Sequence, residues 1–330
     1  MRFIERAWYN KAYWLWLLWP LSLLYQLLSA VRKTSLAPGS SQSSAPVIVV
    51  GNITAGGTGK TPLIIALCNH YLEQGSQPGV ISRGYGGKAN NYPMAVNGDT
   101  SPALAGDEPV LIASKTGCPV VVDPDRSQAL ECLLSNYAVD IVLSDDGLQH
   151  YRLHRDLEVA VVDGQRLFGN GLCLPAGPLR EPVSRLQSCD FVVVNGQTVD
   201  KTHASLKSAI TMSYNATSLV NLANGEKRPF SGAPFNIGSR VQAVAAIGNP
   251  QRFFESLSSL PYPVEPHSFP DHHPFQPADF SSMDPHQPIV MTEKDGIKCH
   301  SFASENMWSV EIVAEFPQSF LSGIANKLKS

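Results

Sequence analysis

The 330-residue chain is 43% hydrophobic and only 16% charged, with a formal net charge of −3. That length suits two domains, and a charged share well below the roughly 25% of an average soluble protein points to a lipid-facing or buried surface. Without a basic field the chain is not a nucleic-acid binder, and six cysteines with no CxxC pair argue against structural zinc and for the reduced thiols of a cytosolic body.

The first element is apolar. Ala12 to Val31 is 20 residues without a formal charge, rich in Leu and Trp. As a helix it would be about 30 Å long, enough to cross a bilayer core. Pro20 in the middle, the polar Ser22, Gln26 and Ser29, and the crowd of Trp and Tyr from Trp8 to Tyr25 favour a helix lying in the interface. Arg2, Arg6 and Lys11 on one side and Arg32 and Lys33 on the other would meet anionic lipid without fixing an orientation. No small-x-small cleavage site follows, so a secretory signal is disfavoured. Residues 1–33 are therefore expected as a membrane-associated helix, and Ser/Pro/Gly-rich residues 34–45 as a flexible tether.

Pro46 to Val50 then reads as a buried parallel strand. It runs into Gly51-Asn-Ile-Thr-Ala-Gly-Gly-Thr-Gly-Lys-Thr-Pro62 and an apolar helical stretch, Leu63 to Leu72. Strand, glycine-rich loop and helix are the setting of a P-loop. Thr54, Ala55, Gly56, Gly57, Thr58 and Gly59 would cradle phosphate with backbone N–H groups at a helix N-terminus. Lys60 would reach the β- and γ-phosphates, and the Thr61 hydroxyl would ligate Mg²⁺. Thr54 stands where the usual pattern has its first glycine.

The partner strand is Asp140 to Asp146, which ends in Asp145 and Asp146, two carboxylates able to hold Mg²⁺ directly or through water. Which of them touches the metal stays open. Further apolar runs at Gly79–Ser82, Pro119–Asp123, Leu157–Asp163 and Phe191–Asn195 alternate with helical stretches. The expected class is α/β, with a P-loop NTPase core of mostly parallel sheet over residues 46–230. A smaller α/β lobe over 231–330 is expected to begin with Val241–Gly248 and end in a striped helix, Ser319 to Lys329. Phe191–Asn195 leads into Asn-Gly-Gln-Thr, not the guanine-reading N/T-K-x-D of GTPases, and no extra lysine opens the P-loop as in partitioning ATPases.

Taken in order, GNITAGGTGKTP, ISRGYGG (81–87), GDEP (106–109), SDDGLQHYRL (144–153), LPAGPLREP (174–182), FPDHHPF (269–275) and MTEKD (291–295) resemble the tetraacyldisaccharide 4'-kinase family over nearly the whole chain. The resemblance implies transfer of the γ-phosphate of ATP to the 4'-hydroxyl of tetraacyldisaccharide 1-phosphate, giving lipid IVA, with Mg²⁺ as cofactor. A glycolipid acceptor explains the membrane helix and implies a site at the cytoplasmic face of the inner membrane; no protein partner is implied. The resemblance also implies Asp107 as the base for the acceptor hydroxyl, Glu108 as an aid to Mg²⁺ or a lock on the loop, and His272 as the partner of Asp107, although the pattern alone does not separate His272 from His273. Arg180 is expected to neutralise the transferring phosphate, with Glu181 holding it, and Arg83 to meet acceptor or phosphate. The rival reading is a membrane-tethered switch or transport ATPase with the same loop and no lipid acceptor.

Overall fold

Val47, Ile48, Val49 and Val50 are all fully buried, because helices cover both faces of the strand they form. Ile48 and Val50 face one layer, with Leu63, Ile64 and Leu67; Val47 and Val49 face the other, with Ala129 and Leu133. Each such side chain contributes about 1.5–3 kcal/mol.

The computed structural model describes residues 3–36, 43–198 and 203–329. Residues 37–42, half of the expected tether, lie outside the described residues. The helices are α1 (Phe3–Tyr9), α2 (Trp19–Ser35), α3 (Lys60–Glu73), α4 (Pro102–Ala105), α5 (Asp107–Thr116), α6 (Arg126–Asn136), α7 (Pro250–Leu257), α8 (Glu293–Gly296) and α9 (Gln318–Lys329). The strands are β1 (Val47–Gly51), β2 (Pro78–Ser82), β3 (Met94–Val96), β4 (Val120–Val122), β5 (Ile141–Asp145), β6 (Leu157–Asp163), β7 (Phe191–Asn195), β8 (Ile210–Asn221), β9 (Lys227–Pro229), β10 (Val241–Ala245), β11 (Val264–Ser268), β12 (Ile289–Thr292) and β13 (Met307–Glu315).

The strands pair in one continuous order, β11-β10-β12-β13-β8-β7-β6-β1-β5-β2-β4-β3, with β9 beside β8. Among the described residues of the first lobe, only the edge strand β3 runs antiparallel. β8 belongs to both lobes: Ile210–Met212 pair parallel with β7, and Ser213–Asn221 pair antiparallel with β13. β8 is thus the strand through which the two lobes share one sheet. The second-lobe core gathers Ala243, Ala245, Phe253, Leu257 and Trp308 on one face and Val244, Met291, Phe275 and Phe280 on the other.

Helix α9 returns to the first lobe. Phe320 is 1% exposed, with its ring 5.4 Å from Phe191 and Ile324 buried beside it. Phe320→Ala is expected to lower unfolding stability by about 3–5 kcal/mol, read as a shifted denaturant midpoint. A loss below about 1 kcal/mol would mean that α9 does not close this core.

The N-terminal segment lies along the first lobe. A 3₁₀ stretch, Tyr13–Leu18, precedes α2, and Pro20 sits in the first turn of α2, so the proline changes helix type without ending the run. The Trp8 indole donates to the Pro175 carbonyl (3.0 Å), Leu15 is 1% exposed, the Ser22 hydroxyl donates to the Cys173 carbonyl (2.8 Å), and Lys33 stands 5.8 Å over the Tyr151 ring. The opposite side presents Trp16, Leu17, Leu21, Leu24, Leu27 and Leu28 to the exterior.

Candidate active site

β1 delivers the phosphate loop, and the loop's entry explains the missing glycine. Ile53 accepts from the Arg180 amide (2.7 Å), and the Ala55 amide donates to the Pro178 carbonyl (2.7 Å). Thr54 forms an antiparallel bridge with Leu179 between them. That stretch is extended, where a β-branched residue is at ease. Positive φ is needed only at Gly56 (99°) and at Gly59 (94°), which caps α3. A Cβ on Gly56 or Gly57 would meet no heavy atom within 4 Å, so this side of the loop is open, whereas one on Gly59 would lie 1.9 Å from the Tyr214 hydroxyl. Asn52 braces the turn, donating to the carbonyls of Thr54 (2.8 Å) and Gly56 (3.2 Å). Its own oxygen accepts from Lys60 (3.3 Å), which also faces Asp146 (3.4 Å). Thr61 is buried in the first turn of α3, and the buried Thr58 hydroxyl has no hydrogen-bond partner among the described residues.

β5 lies next to β1 and ends at Asp145. Burial, then the neighbouring charges of Glu108 and Asp146, push this carboxyl up to about 7 against the pull of Lys60 and Arg126. One oxygen accepts from the Ser82 hydroxyl (3.0 Å); the other, Oδ1, is buried with no hydrogen-bond partner among the described residues. The Asp145 carbonyl is fixed by the buried Arg126, whose ordinary pKa burial lowers to about 10. Asp146 adopts φ 50° and turns to Arg180 (3.0 Å) and Lys60. Burial opposes its ionisation, but those two cations outweigh burial and hold it well below the usual carboxylate range.

α5 begins at Asp107 because Gly106, at φ 90°, turns the chain sharply. A Cβ there would lie 2.4 Å from the Tyr85 carbonyl, so the GDEP turn seats directly on the RGYGG loop. The second lobe supplies the partners. His272 Nδ1 lies 3.1 Å and Lys298 Nζ 3.7 Å from the same oxygen, Oδ2, of Asp107. Lys298 is anchored by Asp295 (2.7 Å), which also receives the Ala246 amide (3.0 Å). Lys294 bonds Glu108 (3.1 Å) and approaches His272 Nε2 (3.4 Å). Burial raises the proton affinity of Glu108, but Lys294 and Lys60 outweigh it and leave the carboxyl below its ordinary value. Glu108 is engaged by Lys294. The two histidines separate cleanly. His272, at φ 60°, faces Asp107, with the Tyr85 ring 5.1 Å from its own. His273 bonds Asp279 (3.0 Å) and stacks on Phe269.

Arg180 is held by Asp146 and, at 3.4 Å, by the Gln149 side chain. Glu181 does not hold it directly. Neighbours in an extended segment point opposite ways, and Glu181 accepts from Gln149 (2.7 Å) and Tyr151 (2.9 Å) and pairs with Arg185 (3.3 Å). Arg83 is exposed after β2. With Arg126 and Arg32, and after burial as the largest cause, it lowers His150 to about 4. Asn52, Arg126, Gln149, Lys294 and Lys298 carry site contacts that sequence reasoning either passed over or left unassigned. Only MTEKD flagged Lys294, and no spacing rule points to the others.

The two lobes meet over the loop: Arg166 donates to the Gly248 carbonyl, and a Cβ on Gly248 would come within 3.3 Å of the Gly57 amide nitrogen. Among the described residues no three His, Cys, Asp or Glu side chains form a metal cage. The unpaired oxygen of Asp145 and the Thr61 hydroxyl are hard donors suited to Mg²⁺ arriving with a nucleotide.

Comparison with known proteins agrees with this fold and phosphate loop. The family model described as tetraacyldisaccharide-1-P 4'-kinase matches residues 14–329. Curated tetraacyldisaccharide 4'-kinases of Hahella chejuensis (49% identical, 98% of this chain and 96% of the relative) and Nitrosococcus oceani (46%, 99% and 94%) align along nearly their full lengths. A crystal structure of LpxK from Aquifex aeolicus in complex with ATP superposes with a TM-score of 0.74 at 28% identity, covering 94% of this chain and 98% of that one.

Proposed function

The chain belongs to the tetraacyldisaccharide-1-P 4'-kinase family, and from that premise we propose how its own residues move the γ-phosphate of ATP onto the 4'-hydroxyl of tetraacyldisaccharide 1-phosphate to give lipid IVA. Phosphoryl transfer is mostly positioning and charge neutralisation. The amides of residues 55–59 cradle the phosphates, and Lys60, already poised between Asn52 and Asp146, moves onto the β- and γ-phosphates. Mg²⁺ would be held by Thr61 and Asp145, with Asp146 beside them, and supplies charge neutralisation. Asp145 is the better direct ligand, because Asp146 is already committed to two cations.

Asp107 accepts the proton of the acceptor hydroxyl. Its Oδ2 is occupied by His272 and Lys298, which leaves Oδ1 to face the acceptor. Arg180 swings from Asp146 to the transferring phosphate. The observation that carries this reading is the Asp107–His272 contact, which joins the first lobe to the second beside the phosphate loop. The test is label transfer from γ-labelled ATP to tetraacyldisaccharide 1-phosphate in Mg²⁺-containing detergent micelles. Wild type should label the lipid and Lys60→Ala should not; ATP hydrolysis without lipid labelling would instead favour a switch ATPase.

The acceptor is membrane-borne, and the N-terminal segment supports a stance at the bilayer surface; the cytoplasmic face of the inner membrane is proposed from the ATP-dependent reaction, not from the helix. The residues from Tyr13 to Ser35 are long and apolar enough to cross a membrane. Yet contacts at Trp8, Leu15, Ser22 and Lys33 run along the protein body, which favours a helix lying in the interface with its outer leucines in lipid. Leu21, Leu24 and Leu28 share one outer face. Changing all three to Glu is expected to cut partitioning onto anionic vesicles by at least about a hundredfold. Unchanged co-sedimentation would remove the helix as the anchor.

A further inference from the structure

We infer that Lys294 is a positioning residue that fixes the tautomer of His272, so that the imidazole donates to Asp107 and does not itself take the acceptor's proton. The inference rests on the reading of Asp107 as the base. It starts from what each group can do. A lysine ammonium has three donors and no acceptor. Lys294 Nζ lies 3.4 Å from His272 Nε2, so that nitrogen must accept and carries no proton. The ring proton is then on Nδ1, which points at Asp107 Oδ2 from 3.1 Å. The chain runs Lys294 to His272 to Asp107, every link donating in the same sense.

The surroundings support that direction. From α5, Asp107 and Glu108 face the pair; from α8 and the turn after it, Lys294 and Lys298; from the loop of His272 itself, Asp271, 3.9 Å from Nε2; and from the RGYGG loop, the Tyr85 ring. Burial works against the charge on Lys294, but Glu108, Asp271 and Asp107 outweigh burial and hold it above the ordinary lysine range. Glu108 thereby acquires a role, since its 3.1 Å bond aims Lys294 at the imidazole. Lys294 reaches His272 from a different stretch of the second lobe, at the head of α8, which starts directly after β12. The backbone on each side is fixed, by the Thr292 side chain capping α8 and by the His272 amide donating to the Ala246 carbonyl at 3.1 Å. The relay is thus built on two anchored elements.

The test is the long-range ¹H–¹⁵N spectrum of ¹⁵N-histidine-labelled full-length protein in detergent, with the His272 signals assigned by their loss in His272→Gln. Wild type should show a protonated Nδ1 and an unprotonated Nε2. In Lys294→Met, nearly isosteric and uncharged, the His272 ring should lose that pure pattern; kcat should fall about tenfold to a hundredfold, as for an outer partner of a reacting group, with KM for ATP little changed. Lys294→Arg, which keeps a donor-only cation, should restore the Nδ1–H pattern. A wild-type ring protonated on Nε2 overturns the proposal whatever the variants do. So does a Lys294→Met protein that is slow yet keeps the wild-type His272 pattern, because its lysine would then be structural only. Full activity in Asp107→Asn would remove the base and leave the tautomer result standing, so the two readings fail separately.

Discussion

Asp107→Asn should lower kcat by about two to four orders of magnitude, the usual share of a general base, while ATP still binds. Asn keeps the size of the side chain and an oxygen for the His272 Nδ1–H, so the 3.1 Å contact across the lobes can persist. It cannot accept a proton from the sugar hydroxyl. The phosphate loop is braced by Asn52, Pro178 and Tyr214, none of which touches Asp107. Steady-state turnover measured beside nucleotide binding checks this: lost turnover with intact binding supports a base, and parallel loss of both would mean that Asp107 shapes the nucleotide site instead.

Arg180→Ala should cost about three to five orders of magnitude in kcat, the range of an arginine that neutralises a transferring phosphoryl group. Arg180 is 3.0 Å from Asp146, which also faces Lys60, so the variant leaves Asp146 to Lys60 alone. A tighter Lys60–Asp146 pair would further withhold the lysine from ATP. Arg180→Lys should recover only part of the loss, because an ammonium lacks the planar fork of guanidinium. The measurement is kcat and KM for ATP in all three proteins; a change confined to KM would make Arg180 a binding residue only.

The first lobe was legible because its central strands are covered on both faces and so appear as unbroken apolar runs, as in Val47–Val50 and Val159–Val162. The phosphate loop was legible because its glycines and Lys-Thr pair follow such a strand. β8 was hidden. Its sequence, ITMSYNATSLVN, is mostly exposed and half-buried, with Met212, Leu219 and Asn221 buried, and it changes partner from β7 to β13 partway along, so no uniform apolar pattern marks it. β11 carries Pro266 at the sheet edge, where proline is tolerated and conceals the strand. The resemblance gave Asp107 an expected role, but nothing in the letters GDEP marks a helix start; the positive φ of Gly106 and its seat against Tyr85 make it the head of α5. Two adjacent histidines are equivalent as text. The left-handed backbone of His272 and the stacking of His273 on Phe269 make them different in space. Arg126 and Lys298 act through contacts that only the folded chain creates.

The base proposed here is assembled across two lobes, with His272 acting through Asp107, and the rest of the proposed chemistry depends on that arrangement. A double-mutant cycle on kcat for label transfer to the lipid tests it most directly, with Asp107→Asn, His272→Gln and the pair together. If His272 works through Asp107, the double variant should be no slower than Asp107→Asn alone, within about threefold. If the two losses multiply, His272 contributes independently of Asp107, and the two residues do not form one base.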